Sequence, residues 1–153
     1  MIILPISIIY DAEGKTAALS YPTDVGTETF AFTASTGLFV LSERSQKLVW
    51  TPDHYSQAVA EAQVFQRECL LRFGPPPTAI PQHDIRHRRA GNNLIMDGVV
   101  EGQEFASRYH HHPNPAQRVV KLAPRGQLTL TLSGFELFLR AHATVVGFMA
   151  NWT

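Results

Sequence analysis

TPDHYSQAVAEAQVFQRECLLRFG, residues 51–74, is the stretch on which the fold turns. Thr51 can accept a free backbone N–H at the start of a helix. Pro52 fits the first helical position, where an N–H would go unused, and Asp53 suits the positive end of the helix dipole. Tyr55, Ala58, Val59, Ala62, Phe65, Cys69, Leu70 and Phe73 then recur at three- and four-residue spacing, which sets them on one apolar face. Glu68 and Arg72 stand at the i,i+4 spacing of an ion pair on another side. Gly74 and the prolines at 75–77 end the helix. At 1.5 Å per residue, a helix over about 52–73 runs roughly 33 Å, enough to lie across a whole sheet.

Upstream of this helix the pattern is β. Residues 2–10 and 16–21 are β-rich runs separated by the turn sequence DAEGK, and Pro5 marks the first run as an edge or a bulge. TETFAFT (27–33) alternates Thr29 and Ala31 against Phe30 and Phe32, STG leads into LFVLS, and SERSQ turns into KLVW. Up to five short strands in a meander are expected.

Downstream, residues 118–122 and QLTLTL (127–132) flank PRG and read as a hairpin, with Leu128, Leu130 and Leu132 on one face. Ser133 and Glu136 have the spacing of a capping box, in which each side chain satisfies the other's backbone donor. A second helix is expected at about 134–150. Its polar residues Glu136, Arg140 and Thr144 recur every four positions and leave a narrow wet stripe on an otherwise apolar cylinder, which needs cover on most sides. Glu136, Arg140 and His142 argue against a membrane span, which needs about 20 predominantly apolar residues.

The middle, about 75–117, is an irregular segment rich in Pro, His and Arg. Its three prolines make a stiff connector. HDIRHRRA (83–90) reads as a short helix begun by Pro81 and stopped by Gly91. Asp97-Gly98, between LIM and VV, is a two-residue hairpin signal. With no repeat at a fixed period, the expectation is one α+β domain over 1–153. An antiparallel sheet, built from the N-terminal meander and the C-terminal hairpin, packs with two main helices.

Composition narrows the classes. The chain has 153 residues and is 44% hydrophobic and 17% charged, long enough for a real core and unlike a disordered chain. The single cysteine, Cys69, excludes an internal disulfide and a cysteine-rich zinc module. The apolar start MIILPISIIYDAEG lacks a basic residue before the run and a small-residue cleavage site after it, so it reads as a strand and not as a signal peptide. A cytoplasmic or intracellular location is the expectation. Net charge is formally zero, yet residues 1–82 hold five Lys/Arg against eight Asp/Glu, while residues 83–125 hold seven against four together with five of the seven histidines. A local basic surface attracts anions even on a neutral molecule.

Three chemistries follow. His83 and His87, one turn apart on a helix, can grip zinc, with His110 or His112 as a third ligand and water in the open position, the pattern of a zinc-dependent hydrolase. In YHHHPNP (109–115), three adjacent imidazoles permit a pH-sensitive contact, though an exposed loop without chemistry accounts for them. Arg86, Arg88, Arg89 and Arg108, with nearby rings, can track a phosphate backbone and so contact nucleic acid. Other machinery is missing. EGKT (13–16) ends like a phosphate loop but has Ile9 where glycine is required, and there is no GxSxG or GxGxxG. Cys69 lies on an apolar helix face, where a thiol is inert.

Binding is therefore favoured over catalysis, with no cofactor, or zinc in the alternative. The leading expectation is a non-enzymatic interaction or assembly subunit whose partner is another protein or a second copy. The contact surfaces are a sheet edge and the C-terminal helix, the latter through Phe138, Val145, Phe148 and Met149. Contact with nucleic acid is the second reading, and no membrane is involved.

Overall fold

Strands that alternate in burial need something on one side only, and the computed structural model, which describes residues 7–73 and 80–153, shows what supplies it. The edge or bulge expected at Pro5, the helix stop at Gly74 and the connector at 75–77 lie outside the described residues. β1 (Ser7–Asp11), β2 (Thr16–Thr23), β3 (Gly26–Thr33) and β4 (Leu38–Leu41) form the expected antiparallel meander. Leu19, Tyr21, Phe30, Phe32, Phe39 and Leu41 point inward along it. The next strand, β5 (Leu48–Trp50), leaves this sheet for another, and α1 (Pro52–Phe73) follows it. Thr51 caps α1, its Oγ1 accepting from the N–H of His54 at 3.2 Å, and the predicted face from Tyr55 to Cys69 is buried.

The second half repeats the plan. β6 (His83–Ala90), β7 (Asn93–Val100), β8 (Gln103–His110) and β9 (Val119–Leu122) make another antiparallel meander. β10 (Leu128–Thr131) then crosses back to pair with β4, and α2 (Leu132–Ala150) closes the chain. The fold is α+β, with two five-stranded antiparallel sheets, β1-β2-β3-β4-β10 and β5-β9-β8-β7-β6, and two helices. Each half thus keeps four strands and gives its fifth to the other sheet. Both helices lie between the inner faces. Phe135 of α2 stacks on Phe39 of the first sheet at 4.4 Å, and Phe138 meets Phe105 of the second at 4.8 Å.

The two halves meet where their donated strands cross. Arg44, between β4 and β5, and Arg125, between β9 and β10, exchange backbone hydrogen bonds of 2.9 and 2.8 Å. Their guanidinium groups converge on the buried Glu28, Arg44 on Oε1 and Arg125 on Oε2 at 3.2 Å.

Several local expectations change. HDIRHRRA is a strand, fully in register with β7. Gly91, at φ +60, closes the hairpin between them instead of stopping a helix, because a tight two-residue turn needs the left-handed region. The next hairpin turns at Glu101 and Gly102, both at positive φ, and not at Asp97-Gly98. Gly98 is mid-strand for a packing reason: Phe105, its direct cross-strand neighbour, lays its ring against it, and a Cβ there would meet the ring at 2.5 Å. The segment expected to be irregular is thus largely the second meander. The strands flanking PRG do not pair with each other, since Arg125 belongs to the crossing and sends β10 to the other sheet. α2 begins straight from β10, so Thr131 and not Ser133 is its cap, accepting from the N–H of Gly134 at 3.1 Å, while Glu136 pairs with Arg140 at 2.9 Å.

Gly98→Ala should cost about 1–3 kcal/mol through overpacking. In a Phe105→Leu background the same change should cost much less. Urea denaturation of the four proteins in this cycle measures both.

Candidate functional site

Because both helices sit between the sheets, no described element covers the outer face of the second sheet. Registers from strand to strand define its rows. Arg88, Ile95, Arg108 and Lys121 lie side by side across β6, β7, β8 and β9. Arg86, Asp97 and Ala106 form the next row, and Asp84, Val99 and Glu104 the one after. Adjacent strands are about 4.8 Å apart and alternate residues roughly 6.6 Å along a strand. The basic row and the acidic row are therefore about 13 Å apart, with half-buried Ile95, Val99 and Ala106 between the charges. Arg108 and Lys121 are direct cross-strand neighbours of like charge, an arrangement that destabilises a sheet unless something neutralises it. No described carboxylate forms an ion pair with Arg88, Arg108 or Lys121. Arg86 is engaged, at 3.1 Å from Asp84 on its own strand. The acidic half is hollowed into an open groove of about 510 Å³ lined by Asp84, Asp97 and Glu104 together with Arg86.

The structure brings Arg88 and Arg108 together and sends Arg89 elsewhere. Arg89 is on the opposite face of β6, its guanidinium 3.9 Å from the centre of the Trp152 ring and its Nη1 donating to the Thr153 carbonyl at 2.8 Å. His111 stacks on the same indole at 5.0 Å. Arg89 and His111 therefore hold the chain's end against the second sheet. Desolvation first, then Arg118 and Arg89, push the His111 pKa below the usual histidine value.

The zinc reading loses its geometry. On a strand, His83 and His87 are about 13 Å apart, too far to share one ion. His87 Nε2 donates to the Ala141 carbonyl of α2 at 2.9 Å, and His83 Nδ1 lies 2.9 Å from the Pro81 carbonyl. His110 pairs with Asn93 at 3.2 Å, and His112 Nδ1 accepts from the N–H of Asn114 at 2.9 Å. Among the described residues no three His, Cys, Asp or Glu side chains are grouped to hold a metal. The histidine triplet is half-buried and hydrogen-bonded, not an exposed loop.

The helical interface changes too. Phe138 and Val145 are 5% and 0% exposed, inside the chain's own core, because α2 is enclosed by both sheets and α1. Met149 is half-buried against that core, and Phe148, 44% exposed, is the one large apolar side chain of α2 left well exposed.

The interior holds polar groups that sequence reasoning missed. Glu28, Arg44 and Arg125 form the buried cluster at the crossing, and their signal was a short repeat: Leu41-x-x-Arg44-x-Gln46 recurs as Leu122-x-x-Arg125-x-Gln127. Tyr55 and His142 share a hydrogen bond of 2.6 Å between the helices. Burial foremost, then Arg125 and Arg44, hold the His142 pKa down to about 3, so the ring is neutral. Burial pushes the Cys69 thiol up to about 12, which leaves no thiolate at neutral pH.

No protein-family model, curated protein or solved structure matches the chain. No helix among the described residues is long and apolar enough to cross a membrane.

His142 should make the protein acid-sensitive. Its folded pKa lies below the unfolded value of about 6.5, so between those values the unfolded chain binds the extra proton and stability falls as pH falls. At about 1.4 kcal/mol per pH unit, acidification from pH 6.5 to 5 should remove roughly 2 kcal/mol. In His142→Gln this part of the slope should vanish, as denaturation at several pH values would measure.

Proposed function

We propose that the protein is a non-enzymatic assembly subunit that pairs with a second copy of itself through the outer face of the second sheet. One observation carries the reading. β6 and β8 both place an acid four residues before a base on that face, Asp84 with Arg88 and Glu104 with Arg108, and the strand registers align acid with acid and base with base. A two-fold axis running across the strands between two facing sheets exchanges the rows. Arg88 then meets Asp84 of the partner subunit, and Arg108 meets Glu104 of the partner subunit. The axis lies over the middle row, where Arg86 and Asp97 each face their own copy with the opposite charge on the adjacent strand, and the outer rows supply the self-complementarity that an isologous contact requires. Ile95, Val99 and Ala106 supply apolar ground between the charges, and the acidic groove gives the arginines a recess. The face projects on the order of 500 Å² per copy, at the small end for a specific interface.

A second reading rests on the unneutralised row itself. Arg88, Arg108 and Lys121 in line fit the spaced charges of a nucleic-acid backbone, which would relieve the like-charge pair at Arg108 and Lys121.

The two readings predict opposite signs at one residue. Under self-pairing, Glu104→Arg should weaken association at least tenfold. Arg108→Glu should do the same, and the double variant should restore it, because the swapped charges meet again. Under nucleic-acid contact, Glu104→Arg should tighten binding and the double variant should restore nothing. Sedimentation of each variant, alone and with a labelled oligonucleotide at low and high salt, separates them. A wild-type chain that stays monomeric at high concentration in low salt would end the first reading.

A further inference from the structure

A partly open pocket of about 40 Å³ lies between the sheets and the helices, walled by Tyr21, Phe30, Trp50, Phe105 and Phe138 and bordered by Arg44 and Arg125. About 10–15 Å³ suffices for the centre of one water, so the space admits two or three water-sized groups. Two donors in residues that line it have no acceptor among the described residues, the Nε–H of Arg44 and the Nε1–H of Trp50, in residues only 8% and 3% exposed. Nearly all buried donors in folded proteins are satisfied, so two idle ones in residues lining one pocket call for an acceptor beyond the described residues.

Charge is unbalanced at the same place. Glu28 gives one oxygen to each arginine, and the remaining contacts of the two guanidiniums are neutral carbonyls, Ala123 for Arg44 and Ser42 for Arg125. One positive charge is left over. Water would satisfy the idle donors but would not cancel that charge, which is costly to bury alone.

We propose that this cavity is the binding site of a small monovalent anion, held by the Nε–H of Arg44 and the Nε1–H of Trp50 and balancing the excess charge of the Glu28, Arg44 and Arg125 cluster. A halide and a short carboxylate share the required chemistry. The ion would sit at the junction of the two halves and tie the donated strands together. This site is separate from the outer face of the second sheet and stands or falls independently of it.

The test exchanges the protein into sodium gluconate, whose anion is too large for the cavity, and titrates chloride, bromide or formate at constant ionic strength and pH. A saturable rise in melting temperature is expected with at least one of them. A response to chloride and bromide assigns a halide, and a response to formate alone assigns a carboxylate. Trp50→Phe, which keeps a ring and removes the donor, should raise the apparent dissociation constant about tenfold, as expected for one hydrogen bond to a charged group. Equal melting temperatures in all four salts, or an equal rise in Trp50→Phe, would overturn the proposal. Should that variant fail to fold, a wild-type crystal grown in the stabilising anion decides. The anion bridging Arg44 and Trp50 supports the site, and water alone in the cavity refutes it.

Discussion

Everything in this fold depends on a crossing. The chain donates β5 from the first half to the second sheet and β10 from the second half to the first, and the two connections meet at the reciprocal backbone bonds of Arg44 and Arg125. Neither sheet is complete without a strand from the other half, and each helix follows directly on a donated strand. The position of α1 and α2 between the sheets is thereby fixed by the exchange, and the aromatic core of Phe39, Phe65, Phe135 and Phe138 forms around them. Glu28 ties both guanidiniums at the crossing, so the joint is electrostatic as well as backbone-paired. Such pairings join residues far apart in sequence, and their loop-closure entropy must be met before the contacts form.

What was legible in the chain is what short-range physics decides. α1 shows a cap, a proline at the first position and an unbroken apolar stripe, and each of these acts within one or two turns. The first meander is equally local, with alternating residues separated by turn sequences. The misread elements have causes that lie elsewhere in the molecule. HDIRHRRA is polar on both sides because β6 is an edge strand, so it offers no apolar alternation to read. Gly98 mimics a turn signal only because Phe105 needs the space above it. PRG resembles a hairpin turn, but Arg125 is held by Arg44, from the other half of the chain. The cap of α2 shifted by two residues because β10 runs into the helix without a loop.

The candidate site divides in the same way. That residues 83–125 are basic was visible from composition. That Arg88 and Arg108 share a row, while Arg89 faces the other way onto Trp152, depends on strand parity and register, which follow only once β6 is known to be a strand. The histidines read as chemistry for the opposite reason: on a helix His83 and His87 would converge, and on a strand they separate. The residues that bind the halves together went unread because buried arginines are rare and each copy of the L-x-x-R-x-Q pattern is unremarkable alone.

The placement of the helices also decides which faces the described elements leave open. With α1 and α2 both between the sheets, each half presents an outer sheet face that no other described element covers, and the two faces differ. On the first sheet the outward positions, such as Ile9, Ser20, Thr29, Ala31, Val40 and Thr129, are apolar or hydroxylated, and Asp11 is the one charged residue among those on its paired strands. The second face carries Asp84, Arg86, Arg88, Asp97, Glu104, Arg108 and Lys121 in ordered rows. A sheet needs no such charges to fold, and a like-charged cross-strand pair works against it. Two halves built on one plan have equal structural need for an outer face, so folding alone does not account for charges confined to one of them.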